Sequence, residues 1–159
     1  MKPCAPIARV LLLDDHPAVL RQVVEMLPAG FEVVAALHNA VALPEAMEKH
    51  KPDLVVLDIT LPGVSGIELA SRLRRAGQPG KVVFLTVHDD ADFARAGFAA
   101  GGTGYVVKAR LATDLVPALE AALAGRKFVS PGVAANGLQS EELTDTDSAA
   151  ANHSPTTRK

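Results

Sequence analysis

The stretch Pro52-Asp53-Leu54-Val55-Val56-Leu57-Asp58 decides the fold class, because its apolar residues are consecutive and do not alternate with polar ones. A short β-branched run of this kind is typical of a strand buried on both faces, which is how strands lie in a parallel sheet. Three other runs share this character, at residues 10–13, 82–85 and 105–107. The sequence therefore predicts a parallel β-sheet.

Segments with helical periodicity separate the strand-like runs, and this alternation is typical of a doubly wound α/β fold. We predict five strands, at residues 10–13, 31–37, 54–57, 82–86 and 105–107. We predict five helices, at residues 17–26, 66–76, 89–100 and 113–124, and in about ten residues that end near residue 50. Thr113 is the predicted N-cap of the last helix, and Gly125 is predicted to end it.

The sequence changes character after Pro131. Residues 132–159 contain no aromatic residue and few large aliphatic ones, and they are rich in Ala, Ser, Thr, Asp and Glu. Such a composition buries too little apolar surface to offset the entropy that is lost on ordering. We therefore predict one folded domain over residues 1–131 and a disordered polar tail over residues 132–159.

Charge and cysteine content narrow the function classes. The 159 residues carry a net charge of −2, which gives the chain as a whole no attraction to nucleic acid or anionic lipid. Cys4 is the one cysteine, so no internal disulfide can form, and this fits a reducing cytosol. No apolar stretch reaches the roughly 18 residues that span a bilayer. These features predict a cytoplasmic protein that binds neither DNA nor membrane by itself.

A polar side chain suited to phosphate chemistry follows each of the four apolar runs. These residues are Asp14 with Asp15, Asp58, Thr86 and Lys108. Ligands of open parallel sheets bind beyond the carboxyl ends of the strands. We therefore expect three carboxylates, one hydroxyl and one amine to lie at the same edge of the sheet.

Three carboxylates this close together would not all remain ionised without a cation. Two of them about 4 Å apart repel by about 4 kcal/mol at an effective dielectric constant of about 20. The predicted cation is Mg²⁺, a hard ion that prefers oxygen ligands and keeps several waters. An aspartate beside it can act as a nucleophile toward phosphorus. Lys108 would supply a cation, and Thr86 a hydroxyl donor, for the phosphoryl oxygens.

Five motifs at these spacings resemble the receiver domain of bacterial two-component response regulators, over about residues 7–131. Each motif is weak alone, but their order and spacing together make a strong signal. The motifs are Leu13-Asp14-Asp15-His16-Pro17, Pro52 to Asp58, Leu61-Pro62-Gly63 with Gly66, Thr86, and Gly104-Tyr105-Val106-Val107-Lys108.

The resemblance implies a five-stranded doubly wound parallel sheet of the flavodoxin type, with strand order 2-1-3-4-5 and five helices. It implies that Asp58 accepts a phosphoryl group from a histidine kinase or phosphotransfer protein. Mg²⁺ would bind to Asp58, to Asp14 and Asp15, directly or through water, and to the carbonyl of Thr60.

The resemblance also assigns the signalling residues. Thr86 and Tyr105 would form a switch pair, and Lys108 would contact the phosphoryl group. Phosphorylation would change protein–protein contacts on the face of the fourth helix, fifth strand and fifth helix, and a homodimer is one such contact. The chain would be a signalling domain rather than an enzyme.

Two residues beside the site are expected to modulate it. Val87 is bulkier than the small residue that is usual in the family after Thr86, and we expect it to narrow access to Asp58. His88 would overhang the mouth of the pocket and influence hydrolysis of the phosphoryl group. His16 and His88 are also candidate transition-metal ligands, although exposed loop positions are the more ordinary interpretation.

Some segments resemble one subfamily, whose receivers carry a C-terminal helix-turn-helix domain. They are Asp15-His16-Pro17, His88-Asp89-Asp90 and residues 125–131. Only the polar tail follows Pro131, so the alternative function is the receiver fragment of a truncated DNA-binding transcription regulator. A phosphatase is disfavoured, because Thr60 stands where the general acid of Asp-x-Asp enzymes would lie. The intact residue set argues against a receiver that no longer binds phosphate.

Overall fold

The computed structural model describes residues 8–78 and 80–135, which form a parallel sheet with helices on both faces. The strands are β1 (Ala8–Leu13), β2 (Phe31–Leu37), β3 (Leu54–Leu57), β4 (Thr60–Leu61), β5 (Val64–Ser65), β6 (Lys81–Thr86), β7 (Gly102–Val107) and β8 (Phe128–Val129). The helices are α1 (Pro17–Met26), α2 (Leu43–His50), α3 (Gly66–Arg75), α4 (Ala91–Ala99), α5 (Leu111–Leu123) and α6 (Pro131–Ala135).

Strand order confirms the predicted fold class. The main sheet has the order β2-β1-β3-β6-β7-β8, and all its described pairs are parallel. The predicted fourth and fifth strands are β6 and β7, so the order 2-1-3-4-5 is correct. The predicted numbers of strands and helices are too low, because β8, α6 and the antiparallel hairpin of β4 and β5 were not expected.

Two hydrophobic cores pack against the two faces of the sheet. One lies under α2, α3 and α4, where Met47 and Phe98 pack against the strands. The other lies under α1 and α5, which contribute Val23 and Leu115. Successive strand residues point to opposite faces, so each central strand supplies both cores and needs the uninterrupted apolar sequence that predicted it.

Element boundaries agree with the prediction for α1 and β2 and differ for α3, α4 and α5. Both α1 and β2 have the predicted bounds. However, α5 begins at Leu111, and Thr113 is an exposed residue of its first turn, so the prediction that Thr113 is the N-cap is wrong. A 3₁₀ turn, Lys108–Arg110, leads directly into α5, and burial of Leu111 in the core fixes this earlier start.

The chain beyond α5 packs onto the sheet. The two residues of β8 pair with β7, and Val133 of α6 is fully buried. The predicted boundary at residue 131 therefore lies at the start of a helix that continues to Ala135. The rest of the predicted tail, residues 136–159, and Cys4 lie outside the described residues. Within the described ranges, no helix combines the length and the apolar character needed to cross a membrane.

Candidate functional site

Adjacent ends of β1 and β3 bring the predicted acids together. Leu13 is paired with Leu57, so the next residue of each strand, Asp14 and Asp58, lies at the same edge. Both carboxylates are buried, with exposed fractions of 3% for Asp14 and 2% for Asp58. Asp15 joins them, and one ligand atom from each residue of this group lies within 4.8 Å of the others.

Lys108 reaches the two buried acids from the end of β7. Its Nζ atom lies 2.8 Å from Oδ2 of Asp14 and 3.1 Å from Oδ2 of Asp58. The side chain is largely buried, with an exposed fraction of 12%. The ammonium group therefore offsets part of the negative charge of both acids in a poorly solvated place.

His16 belongs to the acid cluster, whereas an exposed loop position was the more ordinary interpretation of its sequence. Its Nδ1 atom lies 2.9 Å from Oδ1 of Asp14 and 3.2 Å from Oδ1 of Asp15. Its backbone N–H also donates to Asp14, at 2.9 Å. The ring remains mostly exposed. His16 follows Asp15 directly in the sequence, and this adjacency could have indicated that its ring lies beside the acids.

The environment of Asp58 favours its neutral form. Burial raises the pKa of Asp58 most strongly, and the charge of Asp14 raises it further. The ammonium group of Lys108 and the backbone N–H of Thr60, which donates to Oδ1 at 3.1 Å, act in the opposite direction without reversing the shift. An additional cation at this place would stabilise the ionised carboxylate.

The donor set of the cluster fits a hard divalent cation. Oδ2 of Asp14 and Oδ1 of Asp15 are buried and receive no hydrogen bond within the described structure. They lie instead in ion-pair contact with Lys108 and His16. Carboxylate oxygens of this kind are the ligands that Mg²⁺ prefers. Thr60 lies next to them, because its backbone N–H is bonded to Asp58.

Thr86 and Tyr105 are both tied to the backbone of His88. Oγ1 of the buried Thr86 accepts from the N–H of His88 at 3.2 Å. The hydroxyl of the fully buried Tyr105 donates to the carbonyl of His88 at 2.9 Å. Burial, and secondarily the charges of Asp90 and Asp89, raise the pKa of the Tyr105 phenol above its usual range. The predicted switch residues thus meet at one peptide segment.

The side chain of His88 lies between the site and α4. Its Nε2 atom is 2.8 Å from Oγ1 of Thr60. Its ring stacks on Phe93, with 4.2 Å between ring centroids and 15° between planes. The contacts to Phe93 were not predicted, because they depend on how the loop after β6 folds back over α4. Val87 points outward, with an exposed fraction of 65%.

Gly66 allows the first turn of α3 to lie directly against Asp58. Its N–H donates to the carbonyl of Ile59 at 2.7 Å. A Cβ atom at position 66 would overlap the backbone carbonyl oxygen of Asp58. Glycine is therefore required here for close approach of two backbone segments.

Comparison with known proteins agrees with this geometry. The model of the response regulator receiver domain family matches residues 10–120. The response regulator GacA of Pseudomonas viridiflava is 32% identical over 128 residues, which are 79% of this chain and 60% of that protein. The nitrate/nitrite response regulator protein NarL of Escherichia coli K12 is 31% identical over 147 residues, which are 88% of this chain and 68% of NarL.

A solved structure extends the agreement to three dimensions. A LuxR-family two-component response regulator from Aurantimonas sp. SI85-9A1 has a TM-score of 0.73 and 37% identity, over 89% of this chain and 98% of that one. The chain spans about 60% of the length of the first curated relatives. The family match covers the acid cluster and most of the sheet, and the chain therefore belongs to the response regulator receiver domain family of two-component systems.

Proposed function

We propose that Asp58 accepts a phosphoryl group from the phosphohistidine of a histidine kinase or phosphotransfer protein. This proposal rests on the position of the Asp58 carboxylate. It is buried, its pKa is raised, and it lies 3.1 Å from the ammonium group of Lys108. The ammonium group opposes the neutral form that burial favours, and it is placed to bind the incoming phosphoryl oxygens.

The transfer step uses the residues of the cluster in distinct roles. An Oδ atom of Asp58 forms a bond to phosphorus as the bond between phosphorus and the donor histidine nitrogen breaks. Asp14, Asp15, Asp58 and the carbonyl of Thr60 are the proposed ligands of Mg²⁺. When bound, Mg²⁺ supplies positive charge that neutralises the phosphoryl oxygens. Lys108 binds one of these oxygens directly.

The proposed switch starts at Thr86. When the Thr86 side chain turns so that its hydroxyl donates to a phosphoryl oxygen, its oxygen moves away from the N–H of His88, which loses its present acceptor. The loop that carries His88 then moves, and with it the carbonyl to which Tyr105 is bonded. The change reaches the face formed by α4, β7 and α5, on which protein partners or a second copy of the chain would bind.

Three further parts of the prediction belong to this proposal. The domain acts by changing partners rather than by turning over a substrate, and Thr60 offers no general acid two residues after Asp58. A cytosolic location suits a chain whose one cysteine has no internal partner. RcsB, a similar protein at 27% identity, is described as dimers bound to DNA, which supports self-association as one output.

Phosphorylation by acetyl phosphate with Mg²⁺ tests the assignment of Asp58. We expect intact mass measurements to show one added phosphoryl group on the unmodified protein and none on Asp58→Asn. Asp92→Asn is the matched control, because Asp92 is an exposed acid on α4. Equal labelling of the protein and of Asp58→Asn would disprove the proposal.

A further inference from the structure

We propose that Phe93 is a positioning residue that sets the lifetime of the phosphoryl group on Asp58. This inference rests on the proposed function and extends it to a residue of α4. Phe93 acts through His88, whose imidazole it holds against Thr60 beside the mouth of the site.

The imidazole of His88 is held by two contacts on different parts of the ring. Its Nε2 atom bonds to Oγ1 of Thr60 at 2.8 Å, and its face stacks on Phe93 at a centroid distance of 4.2 Å. The interplanar angle of 15° shows that the two rings are almost parallel. Stacking of this geometry fixes the plane of the imidazole ring.

A short chain of contacts leads from Phe93 to the reacting carboxylate. Phe93 stacks on His88, His88 bonds to Thr60, and the N–H of Thr60 donates to Oδ1 of Asp58. A surface depression lies along this series of contacts. It is lined by Ile59, Thr60, Leu61, Val64, Ser65, His88 and Phe93. Ile59 and Thr60 follow Asp58 directly in the chain, so the ring of His88 borders an opening next to the phosphoacceptor.

Hydrolysis requires water to reach the phosphorus atom. The water oxygen forms a bond to phosphorus, the bond between phosphorus and Asp58 breaks, and one proton of the water passes to solvent. The products are inorganic phosphate and the free carboxylate. Water must approach phosphorus roughly opposite to the Asp58 oxygen. A ring fixed between Thr60 and Phe93 restricts that approach, whereas a ring without the stack can swing aside.

Two substitutions separate stacking from simple filling of space. Phe93→Leu keeps an apolar side chain against the core but removes the aromatic face, whereas Phe93→Tyr keeps the stack. After labelling by acetyl phosphate and removal of the donor, we expect the phosphoryl group to be lost about threefold faster, or more, from Phe93→Leu. Phe93→Tyr should retain the original rate.

An NMR measurement checks the structural step directly. The ring protons of His88 should show an aromatic ring-current shift in the original protein and in Phe93→Tyr, and this shift should be lost in Phe93→Leu. A general loosening of α4 would not explain why Phe93→Tyr keeps both the ring-current shift and the lifetime of the phosphoryl group while Phe93→Leu loses both. Equal lifetimes in the leucine and tyrosine variants would overturn the proposal.

His88→Ala provides a test that leaves α4 unchanged. We expect faster hydrolysis, because the restricting ring is gone. Slower hydrolysis would show that the imidazole assists the reaction, and it would overturn the proposed shielding role. Failure of the original protein to become labelled would instead contradict the function of Asp58, so the two proposals fail in distinguishable ways.

Discussion

Burial and charge are in conflict at Asp58. Its carboxylate is removed from water and faces Asp14, so ionisation opposes folding even with Lys108 close by. The pKa of the folded state lies above the ordinary value of 3.8. The stabilising contribution of this group is therefore complete below pH 3.8 and is lost as the pH rises through the folded-state pKa.

Asp58→Asn should consequently raise the stability of the metal-free protein at neutral pH. The amide removes a buried negative charge, and the gain in melting temperature should shrink as the pH falls toward 3.8. Thermal unfolding in EDTA across this pH range measures the effect, with Asp92→Asn as the control that should change little. A lower melting temperature for Asp58→Asn at neutral pH would contradict the stated balance of charges.

Gly66→Ala should damage both stability and phosphorylation. The added Cβ would overlap the carbonyl oxygen of Asp58, so α3 or the end of β3 must move, at a cost of about 3 kcal/mol. Urea unfolding and acetyl phosphate labelling report the two effects. Gly132→Ala is the matched control, because a Cβ there meets no atom within 4 Å. Similar loss in both variants would show that close approach to Asp58 is not the cause.

Most of the individual site residues were predictable, because they occupy strand ends whose positions follow from apolar runs. Asp14, Asp58 and Lys108 meet for this reason alone. The contacts of His88 were not predictable in the same way. They depend on backbone direction in the loop after β6, which local sequence does not determine.

At the scale of elements, Ser130 fastens the end of the chain to the rest of the domain. Its hydroxyl donates to Oδ2 of Asp114 at 2.8 Å and accepts from the N–H of Val107 at 3.1 Å. Its own N–H donates to the carbonyl of Tyr105 at 2.9 Å. Asp114 is further paired with Arg110 at 2.8 Å. One buried residue thus joins β7 to α5 and leads into α6.

Ser130→Ala should destabilise the domain by about 2 kcal/mol, because it removes the acceptor of the Val107 N–H and one of the donors to the buried Asp114 carboxylate. Chemical denaturation measures the loss. Ser71→Ala, which removes a hydroxyl bonded to Arg75 on the exposed part of α3, should change stability by less than about 0.5 kcal/mol. If the two variants were equally stable, the network around Asp114 would not be holding the segment.

The segment from β8 to α6 shows the limit of predicting secondary structure from periodicity. Periodicity gave α1 and β2 their bounds, because each has an apolar pattern bordered by Pro17, Pro28 or Gly30. By contrast, β8 has two residues and α6 has five, which are too few to show a period. Both form because neighbouring elements bind them, through Ser130 and the buried Val133.

At the scale of the whole molecule, metal binding and folding should be linked. A cation that binds only the assembled cluster stabilises the folded state, by about 2.7 kcal/mol at a concentration 100 times the dissociation constant. We expect Mg²⁺ to raise the melting temperature relative to EDTA, and Asp15→Asn to lose most of that rise. Asp92→Asn should retain it. The same rise in Asp15→Asn would exclude Asp15 from the site.

The short strand β8 also affects how readily the sheet can pair with a strand of a second chain. It covers β7 with two residues and is followed by Ser130 and then by Pro131, which has no N–H to offer. A neighbouring chain therefore finds little free backbone on that flank to extend the sheet, and exposed flanks of this type are where strand-to-strand aggregation begins. The β8 flank of the sheet is therefore a poor template for pairing with a strand of a second chain.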